Sequence, residues 1–374
     1  MQSEKEETTR RDFLSRSGSM LGASMIVPSG ASGAANKPIG DIKPSLYSIT
    51  YLGYWYRGKA LSMEELIQRA KTYGYEGIEI EGKRPHGCPL DWPKSRCLDF
   101  RKRVADSGLV ITGVAADNDF SSPISEHRES QLANVRELIR MTSNLDAKIL
   151  RVFLAWTGAT TLPDGGGRYD IAQKIWSFTH EHFSEEQTWA WCREGLVEAA
   201  RIAGDHGVTL ALQNHKPIIT NYQQVLRMVR EVASPHLKIC LDAPLMEKKD
   251  PAYLKQAVYD VGSLQVQSHF GGEFERKSPE EPILQLAVQG QWGGPYLHQG
   301  YVKEDYHLPF VRALLETGYR GYMGFELCHP LPVVDGKTVS IDFADKNTRL
   351  AAEFIRGVIA QAKKEITAAR TSAS

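Results

Sequence analysis

The sequence has no charge of one sign to spare. Its 45 Lys and Arg stand against 45 Asp and Glu, so the overall balance gives no reason to expect a nucleic-acid or anionic-membrane partner. Cysteine is scarce and unpatterned. Cys88, Cys97, Cys192, Cys240 and Cys328 are odd in number with no Cys-x-x-Cys spacing, which excludes zinc-ribbon and thioredoxin-like chemistry. A Cys88–Cys97 pair in an oxidising compartment and buried free thiols both stay open. Nucleotide loops are missing as well. "YLGYWYRG" carries no G-x-G-x-x-G, and the triple glycine of "PDGGGRYD" lacks the Lys-Ser/Thr of a phosphate loop.

What is present begins with an address. In "TTRRDFLSRSGSMLGASMIVPSGASGAAN", Arg10 and Arg11 precede Phe13 and Leu14, then a weakly apolar run and small residues around Ala34 and Ala35. That order fits a twin-arginine export signal; Ser, Gly and Pro spoil it as a packed helix, and the run is too short for a permanent anchor. Residues 1–36 are therefore read as export signal and linker. Residues 37–374 are read as one domain of a periplasmic or otherwise exported protein, with no membrane insertion after export. At 42% hydrophobic and 24% charged over 374 residues, the chain can bury a large core.

From Ser45 onward one phrase repeats: an apolar strand, then an amphipathic helix that stops at glycine. "SMEELIQRAKTYG" puts Met63, Leu66, Ile67, Ala70 and Tyr73 on one face, with Ser62 and Glu65 as a capping box and Gly74 as the stop. "TWAWCREGLVEAARIAGDHG" lines up Trp189, Cys192, Leu196, Ala199, Ala200 and Ala203 in the same way. The strands read as "SLYSITY", "GIEIEG", "SGLVITGV", "DAKILRVFLAW", "DHGVTLALQ", "HLKICLD", "SLQVQSH" and "TGYRGYMGFE". Eight such units predict an α/β fold, a single (β/α)8 TIM barrel, ahead of an open doubly wound sheet. Long connections near Ala155 to Phe183 and Phe270 to Asp305 interrupt the phrase, and loops of that length are usually covers or insertions.

In such a barrel the carboxyl ends of the strands converge on the active face. Strand five ends in Gln213, Asn214 and His215, strand six in Asp242, strand seven in His269 and strand eight in Glu326. An amide oxygen, two carboxylates and an imidazole from four consecutive strands can surround one divalent cation. The oxygen-rich set favours Mn²⁺, with Mg²⁺, Co²⁺ or Zn²⁺ as alternatives.

On "LALQNHKP", "KICLDAPL", "SHF" and "GYMGFELCHP" the chain resembles the xylose isomerase-like superfamily, within it the sugar phosphate isomerase/epimerase group of D-tagatose 3-epimerase-like proteins. The resemblance runs from strand one to the last helix. It implies a metal held by Glu, Asp, His and Glu at these strand ends, which Asp242, His269 and Glu326 match. Gln213 departs from it, since the first ligand of the group is usually Glu. That Glu and the last Glu serve as two bases on opposite faces of the sugar carbon. An amide oxygen can ligate but cannot act as a base. Leu245 is a second departure, where the group often carries a substrate-contacting His.

Glu326 is thus the candidate base, with His215 or Glu81 as its partner. Glu79 and Glu81 alternate with isoleucines and both point inward; Glu81 is assigned to the site and Glu79 to a basic neighbour. Trp156, Trp292 and His298, in loops at the open face, are candidate sugar contacts. His180 and His182 have His-x-His spacing but read as a surface loop. Export points to a small non-phosphorylated sugar, keto-sugar or oxidised glycoside. Proton removal beside a metal-bound carbonyl gives isomerisation or epimerisation, whereas loss of a leaving group from the next carbon gives elimination, a lyase reaction. A non-catalytic sugar-binding protein is the remaining class. The sequence leaves oligomeric state open.

Overall fold

The computed structural model describes residues 38–163, 165–289, 297–303, 305–334 and 337–373. The signal-like segment 1–36 and Trp292 lie outside the described residues. Contacts gather Lys37–Ser374 into one unit.

Eight strands form its centre: β1 (Asp41–Tyr47), β2 (Gly77–Glu81), β3 (Val110–Ala115), β4 (Ile149–Val152), β5 (Thr209–Gln213), β6 (Leu237–Cys240), β7 (Gln265–Gly271) and β8 (Arg320–Glu326). They close as a parallel barrel in which each pairs with its neighbours in sequence and β1 pairs with β8. The expected (β/α)8 architecture is the one observed. One boundary differs: β1 starts earlier than "SLYSITY" suggests, and Ser48–Tyr51 is a buried 3-10 turn. Burial of every residue in that turn, not strand pairing, accounts for its apolar letters.

The helices follow the strands. After β1 comes α1 (Met63–Thr72), with the Ser62–Glu65 capping box formed, Met63, Leu66, Ile67 and Ala70 buried, and Gly74 at φ +78° where the chain leaves it. Next come α2 (Lys94–Asp106) and α3 (Ser125–Asn144). The connection after β4 holds a short hairpin, Thr160–Thr161 with Gly167–Arg168, and α4 (Asp170–His180). Helix α5 (Glu185–Asp205) then starts at a second capping box, Ser184 with Gln187, and buries the stripe from Trp189 to Ala203. Helices α6 (Tyr222–Val232) and α7 (Pro251–Val261) follow β5 and β6. The connection after β7 is built as a three-stranded antiparallel sheet of Phe274–Glu275, Leu284–Gln289 and Leu297–Tyr301. Both long connections are therefore folded insertions at the same end of the barrel as the strand termini. Helix α8 (His307–Glu316) precedes β8, and α9 (Ile341–Ala373) closes the ring of helices, with Thr348 accepting the hydroxyls of Tyr51 and Tyr75 at 3.0 and 2.8 Å. Among the described residues no helix is long and apolar enough to cross a membrane, and all five cysteines are free.

Candidate active site

At the carboxyl end of the barrel, five side chains from five strands join in a closed circuit of hydrogen bonds. Arg151 Nε on β4 donates to Glu79 Oε1 on β2 at 2.9 Å, and its Nη1 donates to Gln213 Oε1 on β5 at 3.0 Å. Gln213 Nε2 donates in turn to Asp242 Oδ2, just past β6. His269 on β7 completes the circle, with Nδ1 3.2 Å from Asp242 Oδ2 and Nε2 2.5 Å from Glu79 Oε2. All five are buried. Close packing lets them meet: at Gly324 on β8 a Cβ would stand 2.6 Å from His269 Cδ2, so only glycine leaves room for the imidazole.

The circuit sets the charges. Burial alone would raise Glu79, but Arg151 and His269 outweigh it and bring the carboxyl down to about 2. For His269, burial disfavours the charged ring and the flanking carboxylates Glu79 and Asp242 reverse that, lifting it well above its ordinary range. Asp242 is further fixed by Asn214, which accepts from its backbone N–H at 2.8 Å. The three polar residues that end β5 therefore divide their work: Gln213 joins the circuit, Asn214 clamps the end of β6, and His215 forms pocket wall.

Donor atoms of Cys240, Asp242 and His269 lie within 4.8 Å of one another, a set able to hold a small cation. Cys240 was not anticipated as part of it, although "KICLD" places it two residues before Asp242 on the same inward face. Gln213 sits beside this group, but its amide is turned by Arg151: the oxygen serves the guanidinium and the NH2 faces Asp242. An NH2 group cannot ligate a cation, so this orientation opposes the ligand role expected for it. Glu326 lines the pocket, and among the described residues no group hydrogen-bonds its carboxylate. Burial raises it above the ordinary carboxylate range, against the pull of His269 and Arg151.

The other expected residues fall as follows. Glu81 is fully buried, accepting from the Tyr47 hydroxyl and ion-paired with Lys83 at 2.7 Å. Burial and the Asp117 carboxylate raise it, while Lys83 keeps Asp117 ionised. Tyr47 and Asp117 line the pocket and Glu81 stands behind them. Glu79 did find a basic neighbour, Arg151, yet it also orients His269, the greater share in the site. His215 packs edge-on against Trp156 and Phe153 at 5.0 and 5.3 Å. Its Nδ1 meets the Lys216 carbonyl at 2.5 Å, so Nδ1 carries the proton, and desolvation pulls the ring down to about 4. Trp156 lines the pocket. His298 does not. It bonds Glu273 at 2.9 Å and borders a separate cavity, while His329, on the other oxygen of Glu273 at 2.9 Å, joins His215 in lining the barrel-mouth pocket. His180 is no surface residue either; it ends α4 buried, stacked on Trp176 at 4.0 Å. His182 is exposed and paired with Glu181.

Arg151 is the member of the hydrogen-bond circuit that sequence reasoning missed. Its signal was present, a single charge on the inward register of the otherwise apolar "ILRVF".

Residues 67–357 match the family model described as xylose isomerase-like TIM barrel. No curated protein matches the sequence. Among solved structures, D-psicose 3-epimerase from Clostridium cellulolyticum H10, solved with D-tagatose, superposes with a TM-score of 0.59 at 18% identity, over 85% of this chain and 99% of that one. The IOLI protein with a bound zinc atom gives 0.58 at 16% identity, over 86% and 99%. The 3-keto-D-glucoside 4-epimerase from E. coli, in its apo form, gives 0.53 at 16% identity, over 87% and 100%. At these identities the likeness is one of fold.

Proposed function

The chain belongs to the xylose isomerase-like TIM barrel family, and on that footing we propose that it is a divalent-metal-dependent sugar isomerase or epimerase-like enzyme acting on a non-phosphorylated sugar or keto-sugar. The observation that carries the reading is Glu326, a carboxylate at the pocket wall with no hydrogen-bond partner among the described residues and an affinity for protons raised by burial. A base of this kind suits abstraction of a proton from carbon.

In this reading Asp242, His269 and Glu326 hold the metal, with Cys240 close by. The donor chemistry fits: Nε2 of His269 is tied to Glu79 at 2.5 Å, the arrangement that leaves Nδ1 as the ligating nitrogen. Gln213 then acts as a positioning residue, passing the constraint of Arg151 to Asp242. When bound, a divalent ion supplies Lewis acidity toward a carbonyl oxygen. Glu326 takes the proton from the neighbouring carbon, and the C–H electron pair moves toward that carbonyl. Tyr47, its hydroxyl tied to Glu81, is placed to return a proton from the pocket wall, and the buried guanidinium of Arg151 favours negative charge developing in front of it. Return to the former carbonyl carbon isomerises, and return to the original carbon from the opposite face epimerises.

Elimination from an oxidised glycoside is the second reading. It is favoured by Gln213, which leaves the end of β5 without a second carboxylate base. The structural likeness to a 3-keto-glucoside epimerase supports a keto-sugar in either case. The Arg10–Arg11 segment supports export, and a mature amino terminus near Ala35 in secreted material would bear that out.

The test is turnover of a keto-sugar panel in D₂O. Wild type places deuterium at the carbon beside the carbonyl, and Glu326→Gln lowers that exchange by about 10²-fold or more. Conversion without solvent exchange would rule out proton transfer.

A further inference from the structure

The barrel-mouth pocket does not end at its own wall. A cavity of about 220 Å³ holds Tyr47, Arg151, Gln213 and Glu326, and a second of about 710 Å³ lies alongside it. The two share Trp156, Tyr169, His215, Pro244 and Leu245 as lining. The larger is completed by the insertion after β4, which contributes Gln173, Trp176 and Ser177 from α4.

We propose that the substrate is a glycoside of two rings: the reacting sugar occupies the inner cavity, and a second ring, sugar or aromatic, lies in the outer one against Trp156 and Trp176. Pyranose C–H faces and aromatic aglycones both pack on indole faces. The rings here are held in advance, two through their polar atoms and Trp156 through ring contacts. Trp176 Nε1 donates to Ser121 Oγ at 2.9 Å, and its ring stacks on His180 at 18°. The Tyr169 hydroxyl donates to the Cys328 carbonyl at 2.6 Å, and Trp156 meets the Tyr169 and His215 rings edge-on at 5.8 and 5.0 Å. With the Trp176 indole N–H and the Tyr169 hydroxyl already engaged and Trp156 set between its ring neighbours, these side chains offer apolar surface to a ligand at little cost in ordering. The partition between the cavities consists of Trp, Tyr, Pro, Leu and an imidazole that carries no charge near neutral pH. A neutral linkage such as a glycosidic oxygen crosses it without desolvating a charge. A free monosaccharide would leave the outer cavity to water.

The proposal rests on the sugar chemistry above only for the identity of the inner ring. Its test reads binding without turnover, so its failure is separable from failure of the proton-transfer reading. Isothermal titration of the purified protein compares methyl glycosides, phenyl glycosides and disaccharides of the same hexoses. Two-ring ligands should bind on the order of tenfold more tightly than methyl glycosides. Trp176→Ala should abolish that preference and leave methyl glycoside affinity unchanged. Ser177→Trp, at an exposed helix position, should do the same by filling the outer cavity, which keeps the test available should the alanine variant misfold. Equal affinities in wild type, equal losses for both ligand types in the variants, or no binding by any glycoside would overturn it.

Discussion

Arg151→Met tests whether the five-residue circuit holds the site together. The guanidinium and Glu79 carry side-chain exposures of 3% and 0%, so the substitution strands a carboxylate where water cannot reach it. Losing one partner of a buried pair costs about 3–5 kcal/mol. Gln213 Oε1 loses its donor as well, an effect of about 1–3 kcal/mol that overlaps the first, because both report loss of the same side chain. Glu79 retains His269 at 2.5 Å, which keeps the total near about 3–5 kcal/mol. Proton linkage provides a separate measure. Depression of Glu79 from 4.5 to about 2 corresponds to about 3 kcal/mol. Because the folded value is the lower one, this stability is present above pH 4.5 and fades as the pH falls toward 2. Urea unfolding followed by tryptophan fluorescence at pH 7, without added metal, reads the loss for Arg151→Met, Glu79→Gln and the double variant. The double should lose less than the two singles together, by about 2 kcal/mol, since it removes both charges. The gap between wild type and Glu79→Gln should narrow below pH 4.5. Additive losses, or an Arg151→Met change under about 1 kcal/mol, would refute the circuit as a structural element.

Three further outcomes follow from the same geometry. His307, pushed down to about 3 by burial and then by Lys249, accepts no proton in the folded state until the unfolded chain already has one; stability should therefore fall as pH drops from 6.5 toward 3, by about 2 kcal/mol at pH 5. His307→Phe should remove that acid loss from urea midpoints compared at pH 7.5 and 5, and an identical loss in both proteins would count against it. Elemental analysis should find about one divalent ion per chain, lost on Asp242→Ala and Glu326→Ala and kept by His180→Ala and His182→Ala; equal losses across the four would put the site elsewhere. Gln213→Glu replaces the NH2 that faces Asp242 with a carboxylate, so without metal it should destabilise by about 1–3 kcal/mol, recover on metal addition, and shift products toward epimerisation. A melting temperature indifferent to chelator in this variant would contradict the placement.

Much of this was legible in the chain because period and punctuation are local. Capping residues, glycine stops and inward alternation located the eight barrel strands, with the first displaced from Asp41–Tyr47, and the rule that strand ends converge picked out Asp242, His269 and Glu326 as residues that meet at one end of the barrel. Two kinds of error remained. His180 and His298 were judged by their loops, yet burial against Trp176 and pairing with Glu273 depend on insertions whose packing the local pattern does not contain. Arg151 was passed over because a lone charge in an apolar strand reads as a surface residue until the barrel closes around it.

Gln213 shows why residue type alone does not decide a ligand set. An isolated amide offers an oxygen or an NH2 with equal ease, and only its neighbours choose between them. Here the choice belongs to Arg151, 62 residues earlier in the chain and on the adjacent strand. A guanidinium has donors and no acceptor, so it can meet only the amide oxygen, and the NH2 is forced toward Asp242. Sequence pattern identifies the polar residue that a barrel end requires. Its orientation is set by a charge that becomes its neighbour only when β4 and β5 pair.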